Sequence, residues 1–144
     1  MKRDLGDGYE VDDDRGRIDR VAVHAYLTRA YWATGRTRER QDALTDASVR
    51  IVGLYFDGAQ VGFGRAVDCF GAGFMYLADV YVLEEHRGGG RGVELVREIV
   101  ENGPFADRRW VLHTRDAHGL YEKFDFAPNE RLLERPGPAS RPTG

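Results

Sequence analysis

A single cysteine, Cys69, stands among 144 residues, so no internal disulfide framework holds the chain together. No apolar run approaches the roughly 20 residues that a membrane-spanning helix needs. The opening stretch, MKRDLGDGYEVDDD, is acidic and polar and lacks the apolar segment of a secretory signal. Neither sign of charge dominates. The 21 basic and 24 acidic side chains leave a formal net charge of −3, unlike the basic balance of a nucleic-acid binder. These absences lead to the expectation of a cytoplasmic protein that engages neither membrane nor nucleic acid.

What is present suits one folded domain, expected over 1–135. Hydrophobic residues make up 42% of the chain, enough for a core. Glycine is plentiful, 18 of 144 residues, and many glycines fall between residues 53 and 92. The end, PGPASRPTG from 136 onward, has no apolar anchors and is expected to be disordered.

GYEVDDDRGRID reads as a short first strand and a polar turn. Asp19 then suits the N-cap of a helix in RVAVHAYLTRAYW, which Gly35 ends. A second helix, in TRERQDALTDAS, has little apolar content and should lie on the surface or cover a cleft. From Val49 the period changes. VRIVGLYF is β-branched and aromatic, and Asp57-Gly58 is a two-residue hairpin signal. AQVGFGRAVDCF returns, with Gly62 and Gly64 marking close packing or a bulge. After a turn at GAG, FMYLADVYVL completes a three-strand meander. GVELVREIVEN has a helical apolar face of Val93, Leu95, Val96, Ile99 and Val100, stopped at Gly103-Pro104. RRWVLHT reads as a strand, Asp116 as an N-cap for AHGLYEKF, and FAPNERLLER as a last extended segment. The predicted order is β-α-α-β-β-β-α-β-α-β, an α/β (α+β) fold whose mixed sheet carries helices on its faces.

The most telling stretch is VYVLEEHRGGGRGVELV, where a strand passes through a glycine loop into a helix. Glycine has no Cβ, so backbone amides there approach a ligand closely. The first amides of a helix lack internal partners, and its dipole favours anions. Such a loop cradles a phosphate, or it is a tight turn that binds nothing. The dinucleotide fingerprint fails, because its third glycine falls on Val93 or Leu95. The phosphate-loop pattern fails for want of a lysine. His113 and His118 do not have the spacing of a helical zinc pair, and the lone cysteine gives no second soft ligand, so no metal is expected.

The loop resembles the signature of the GNAT superfamily of acetyl-CoA-dependent N-acetyltransferases, in its small bacterial members. The pattern [Q/R]-x-x-G-x-[G/A] reads here as Arg87-Gly88-Gly89-Gly90-Arg91-Gly92. HTRDAHGLYEKFDF resembles the family's second motif, and AYWATGR at 30–36 is a softer match. Three departures stand out: Arg91 replaces a small apolar residue, Thr114 an asparagine, and Asp125 the glycine of the commoner FGF.

The resemblance implies a mostly antiparallel central sheet with a splayed parallel pair of strands, and acetyl-CoA as co-substrate without metal. It implies that Val80, Tyr81 and Val82 line the pantetheine arm, with the Val82 amide as oxyanion donor. The amides of Gly88, Gly89, Gly90, Arg91, Gly92 and Val93, with Arg87, would hold the diphosphate. Tyr121 matches the family's general-acid tyrosine; otherwise it packs as an ordinary core aromatic. Asp79 is a candidate base, or a strand-end aspartate bonded to a loop; His24 and His113 are further candidates. The acceptor is an amine, of a small molecule or of a protein. Its pocket falls among Tyr26, Tyr31, Trp32 and Arg36, with Asp68, Tyr76 and Asp79 opposite, a set that suits a cationic amine. A non-catalytic acyl-CoA-binding module is the other reading. Oligomeric state is open, a homodimer included.

Overall fold

The structure, a computed structural model, describes residues 1–138, without the Phe70 side chain; from 139 onward the expected tail lies outside the described residues. The elements are β1 (Lys2–Gly6), β2 (Tyr9–Asp12), α1 (Arg20–Leu27), α2 (Arg38–Ala47), β3 (Arg50–Phe56), β4 (Ala59–Cys69), β5 (Phe74–Val82), α3 (Arg91–Val100), β6 (Arg109–Val111) and α4 (His118–Glu122). They build one six-stranded sheet in sequential order, antiparallel throughout except for the parallel β5–β6 pair.

Two expectations about element order are corrected. The N-terminal segment is a hairpin of two strands rather than one strand. Its turn runs through Gly6, Asp7 and Gly8, all at positive φ, and Arg3 ties β1 to α3 through Glu98 (2.7 Å) and Glu94 (2.9 Å). FAPNERLLER forms no strand; among the described residues none follows α4. Asp19 does cap α1, accepting from the Ala22 amide at 3.0 Å. Asp116 does not cap α4. The N-cap residue is Ala117, whose amide donates to Thr114 Oγ1 at 3.1 Å.

Alternation along the meander sends side chains to both faces. Val52, Leu54 and Leu77 pack with Leu95, Val96 and Ile99 of α3. Ile51, Phe63 and Tyr81 pack with Val23 and Leu27 of α1 on the other face. Polar α2 buries Gln41 and Thr45 rather than an apolar stripe.

Among the described residues, three register shifts interrupt the sheet, in the β1–β2, β3–β4 and β4–β5 pairs, and the last of them shapes the site. From Arg65 to Phe63 β4 advances two residues while β5 advances three, from Ala78 to Tyr81, which is a β-bulge. Asp79 lies in it at φ 56, a conformation aspartate tolerates better than most residues. Its carboxylate is almost wholly buried and accepts from Trp32 Nε1 (2.9 Å), Arg36 Nη1 (2.7 Å) and Arg65 Nε (2.8 Å). Burial alone would raise the carboxyl pKa; the charge and hydrogen bond of Arg65, then those of Arg36, overcome it and hold the group below its usual range. Pairing of β5 with β6 stops at Tyr76–Val111, just before the bulge, and beyond it the two strands part.

Three substitutions test this geometry through stability. A Cβ on Gly62 would lie 2.9 Å from the Tyr81 carbonyl oxygen and 3.0 Å from Leu54 Cβ, so Gly62→Ala should cost about 1–3 kcal/mol in urea denaturation. One on Gly64 meets the Ile99 Cδ1 methyl at 2.5 Å, which can rotate away, so Gly64→Ala should cost less. Asp79→Asn preserves the left-handed backbone but strands two buried guanidinium groups, at an expected cost of about 3–5 kcal/mol at pH 7. Because the folded pKa is depressed, this contribution is full above about pH 4 and is lost as pH falls through the folded pKa. Wild type and variant should therefore converge in acid.

Candidate active site

The parting of β5 from β6 opens a cleft of about 1310 Å³. It runs from the aromatic pair in the loop after α1, past the bulge, to the glycine loop before α3. On the sheet side it is lined by Asp79, Val80, Tyr81 and Val82; at one end by Gly88, Gly90, Gly92 and Val93; at the other by Tyr31, Trp32 and Arg36. Tyr121 and Leu120 of α4 form the opposite wall, with the β6–α4 loop from His113 to Ala117.

The glycine loop sits at the mouth of α3. Gly88 and Gly90 have φ 92 and 79, and a Cβ at either position would meet nothing within 4 Å. Glycine is needed there for the backbone turn, with open space in front of it. Among the described residues, none of the amides from Gly88 to Val93 donates to a protein acceptor, and no side chain caps the helix. Arg87 braces the loop, donating from Nε to the Val82 carbonyl (2.8 Å) and from Nη2 to Tyr26 Oη (2.9 Å). Arg91 turns away from the cleft. Its guanidinium lies 4.1 Å over the Tyr9 ring and folds back across Gly89; neither residue lines the cleft.

Past the bulge, the Leu83 amide donates to Val61 of β4 at 2.8 Å. Antiparallel alternation therefore aims the N–H and C=O of Val82 away from β4, toward the side β6 has left. Tyr26 lies flat on Tyr81 at 4.1 Å between centroids, so both rings are structural as well as lining. The Tyr121 side chain is buried, which pushes its phenol up to about 12. Its hydroxyl has no protein partner among the described residues, yet it is not one of the sealed-off unpaired atoms. It therefore opens into the cleft as a neutral donor.

The acceptor end differs from the expected set. Asp79 has both oxygens occupied by three donors. Asp68 lies outside the cleft, accepting from Arg108 at 3.1 Å. His24 is spent on the Arg36 carbonyl (2.9 Å). Tyr31 and Trp32 are 43% and 40% exposed and meet edge to face. Tyr31 Oη accepts from the Arg115 amide at 3.1 Å, joining the two loops on either side of the cleft. Tyr76 Oη hydrogen-bonds His113 Nδ1, whose other nitrogen lies 3.2 Å from Glu134. Sequence reading missed Arg65 and Glu134. A lone arginine in VGFGRAV was the available signal for the first; the second is brought in by a segment without periodicity.

The acetyltransferase (GNAT) domain description matches residues 47–128, more than half of the chain. A candidate acetyltransferase of the GNAT family from Xanthomonas campestris pv. campestris is 34% identical. It superposes with a TM-score of 0.81, over 92% of this chain and 95% of that one. A candidate acetyltransferase from Gibberella zeae is 34% identical over 92 residues, 62% of this chain, and the chain spans about half (51%) of that relative's length. Glucosamine-6-phosphate N-acetyltransferase from Arabidopsis thaliana, 13% identical, shares the fold alone, with a TM-score of 0.63 over 88% of this chain and 97% of that one. With its glycine loop, its splayed strands and these matches together, the chain belongs to the GNAT acetyltransferase family.

Proposed function

We propose that this chain transfers an acetyl group from acetyl-CoA to the amine of a small molecule by direct attack. The observation that carries the reading is the loop of unpaired amides from Gly88 to Val93, of which Gly88, Gly90, Gly92 and Val93 line the same cleft as the free phenol of Tyr121. These amides suit a diphosphate, with added positive charge from Arg87 and Lys123 on the cleft wall. The β5 edge at Val80 faces the gap for the pantetheine arm, and, with the Val82 carbonyl taken by Arg87, the Val82 N–H is left to stabilise an oxyanion.

Bound acetyl-CoA supplies a thioester carbonyl open to a neutral amine. Tyr121 is held neutral by burial and donates a hydrogen bond to the departing sulfur. With its phenol near 12 and a free thiol near 8.5, full proton transfer to the thiolate is uphill, so its contribution is stabilisation. Asp79, fully engaged, positions Trp32 and Arg36 rather than taking a proton. We assign proton removal to Tyr76, His113 and Glu134. The hydroxyl of Tyr76 accepts from the ammonium as its own proton passes to His113 Nδ1, and Glu134 holds the imidazole. The Tyr31–Arg115 bridge narrows the acceptor side, which favours a small molecule over a protein segment.

Tyr121→Phe should lower kcat roughly 100-fold and leave the affinity for CoA nearly unchanged; equal kcat in both proteins removes Tyr121 from the chemistry. His113→Gln should lower kcat/KM most at neutral pH. The deficit should close toward about pH 10, where the amine is neutral without help; a deficit independent of pH contradicts the relay.

A further inference from the structure

Two arginines at the acceptor end carry more hydrogen-bonding capacity than the protein uses. Arg65 and Arg36 side chains are 8% and 16% exposed, and both donate a hydrogen bond to the same oxygen of Asp79. Arg36 Nη1 also reaches Gln41 Oε1 (2.8 Å), and Arg65 Nη1 reaches Ser48 Oγ (3.3 Å). Arg36 Nε and Nη2 and Arg65 Nη2 have no protein acceptor among the described residues, and none of them is sealed away from solvent. Both residues line the cleft, so this spare donor capacity lies at its acceptor end.

The local charge is also unbalanced. Two guanidinium groups share one carboxylate; the expected second one, Asp68, is paired with Arg108 outside the cleft, and Asp116, which lines the cleft from the β6–α4 loop, forms no ion pair with either arginine among the described residues. A mostly buried cation without a counter-charge is costly, and a guanidinium fork matches the geometry of carboxylate and phosphate oxygens. The pair lies beside the bulge, where the acceptor must reach the thioester, while the diphosphate amides lie beyond Val82.

We propose that Arg36 and Arg65 form an anion subsite for the acceptor, and that the acceptor is a small amine carrying a carboxylate or a phosphate. This rests on the acetyl-transfer reading and replaces the expectation of a plainly cationic amine. Trp32, its indole fixed by Asp79, and Tyr31 wall the carbon chain between the amine and the anion.

The test is thiol release from acetyl-CoA with matched amines of equal length: ω-amino acids, aminoalkyl phosphates, amino alcohols and diamines. One anionic series should exceed the neutral and cationic ones in kcat/KM by roughly 10- to 100-fold, the value of hydrogen bonds to a charged group. Which anionic series leads separates carboxylate from phosphate. Arg36→Gln should erase the preference while CoA affinity, measured by calorimetry, is kept; Arg65→Lys should reduce it. If no amine turns over, calorimetry on the CoA-bound protein decides. N-acetylated amino acids or aminoalkyl phosphates should bind more tightly than neutral N-alkylacetamides, and Arg36→Gln should abolish the difference. Neutral amines or diamines preferred by wild type, or products bound without regard to charge, overturn the subsite. Failure of wild type to bind CoA overturns the donor reading instead.

Discussion

The buried carboxylate of Asp79 is the constraint on which the cleft depends. It sits in the one irregular step of β5, at positive φ, where a left-handed residue must be stabilised by its surroundings. Trp32, Arg36 and Arg65 supply that stabilisation from two directions, the loop after α1 and the neighbouring strand β4. The same bonds therefore do two things. They fix the bulge that parts β5 from β6, and they hold the aromatic loop over the acceptor end. Of the two roles open to Asp79 from the sequence, a base or a strand-end aspartate bonded to a loop, its three hydrogen bonds fit the second.

Around that joint the cleft divides its tasks by type of group. Backbone amides face the loop end, where two positive-φ glycines let them converge, and Arg87 ties the loop to Val82 and Tyr26 without using those amides. Side chains face the acceptor end: a phenol kept neutral by burial, a tyrosine–histidine–glutamate chain, and two guanidinium groups. On the proposed reading this arrangement lets the donor bind through main chain that tolerates side-chain variation, while acceptor choice rests on a few replaceable residues.

Much of this was legible in the sequence, for definite physical reasons. Period-two patterning and the Asp57-Gly58 turn gave the meander, and glycine between a strand and an amphipathic helix gave the loop. Residues whose roles follow from long-range placement were not legible. β1 is charged because it is an edge strand whose Arg3 reaches α3, so it reads as a polar terminus. Gln41 and Thr45 are buried on α2 because polar side chains there meet other polar groups, a pattern that hydrophobic periodicity does not register. Asp79 and Asp68 could be placed near the site by position, but their arginine partners come from other strands and loops, so their neutralisation was invisible. Arg91 matched the loop motif by position only; in the fold it lies over Tyr9.

The central claim is that the amides at the mouth of α3 hold the diphosphate of coenzyme A inside the cleft opened at Asp79. Titrating CoA into ¹⁵N-labelled protein and following the backbone amide resonances tests it directly. The account predicts that the largest shifts fall on Gly88 to Val93, with smaller ones along Val80 to Val82. Saturable binding that leaves the loop amides unmoved, or no binding at all, would contradict it.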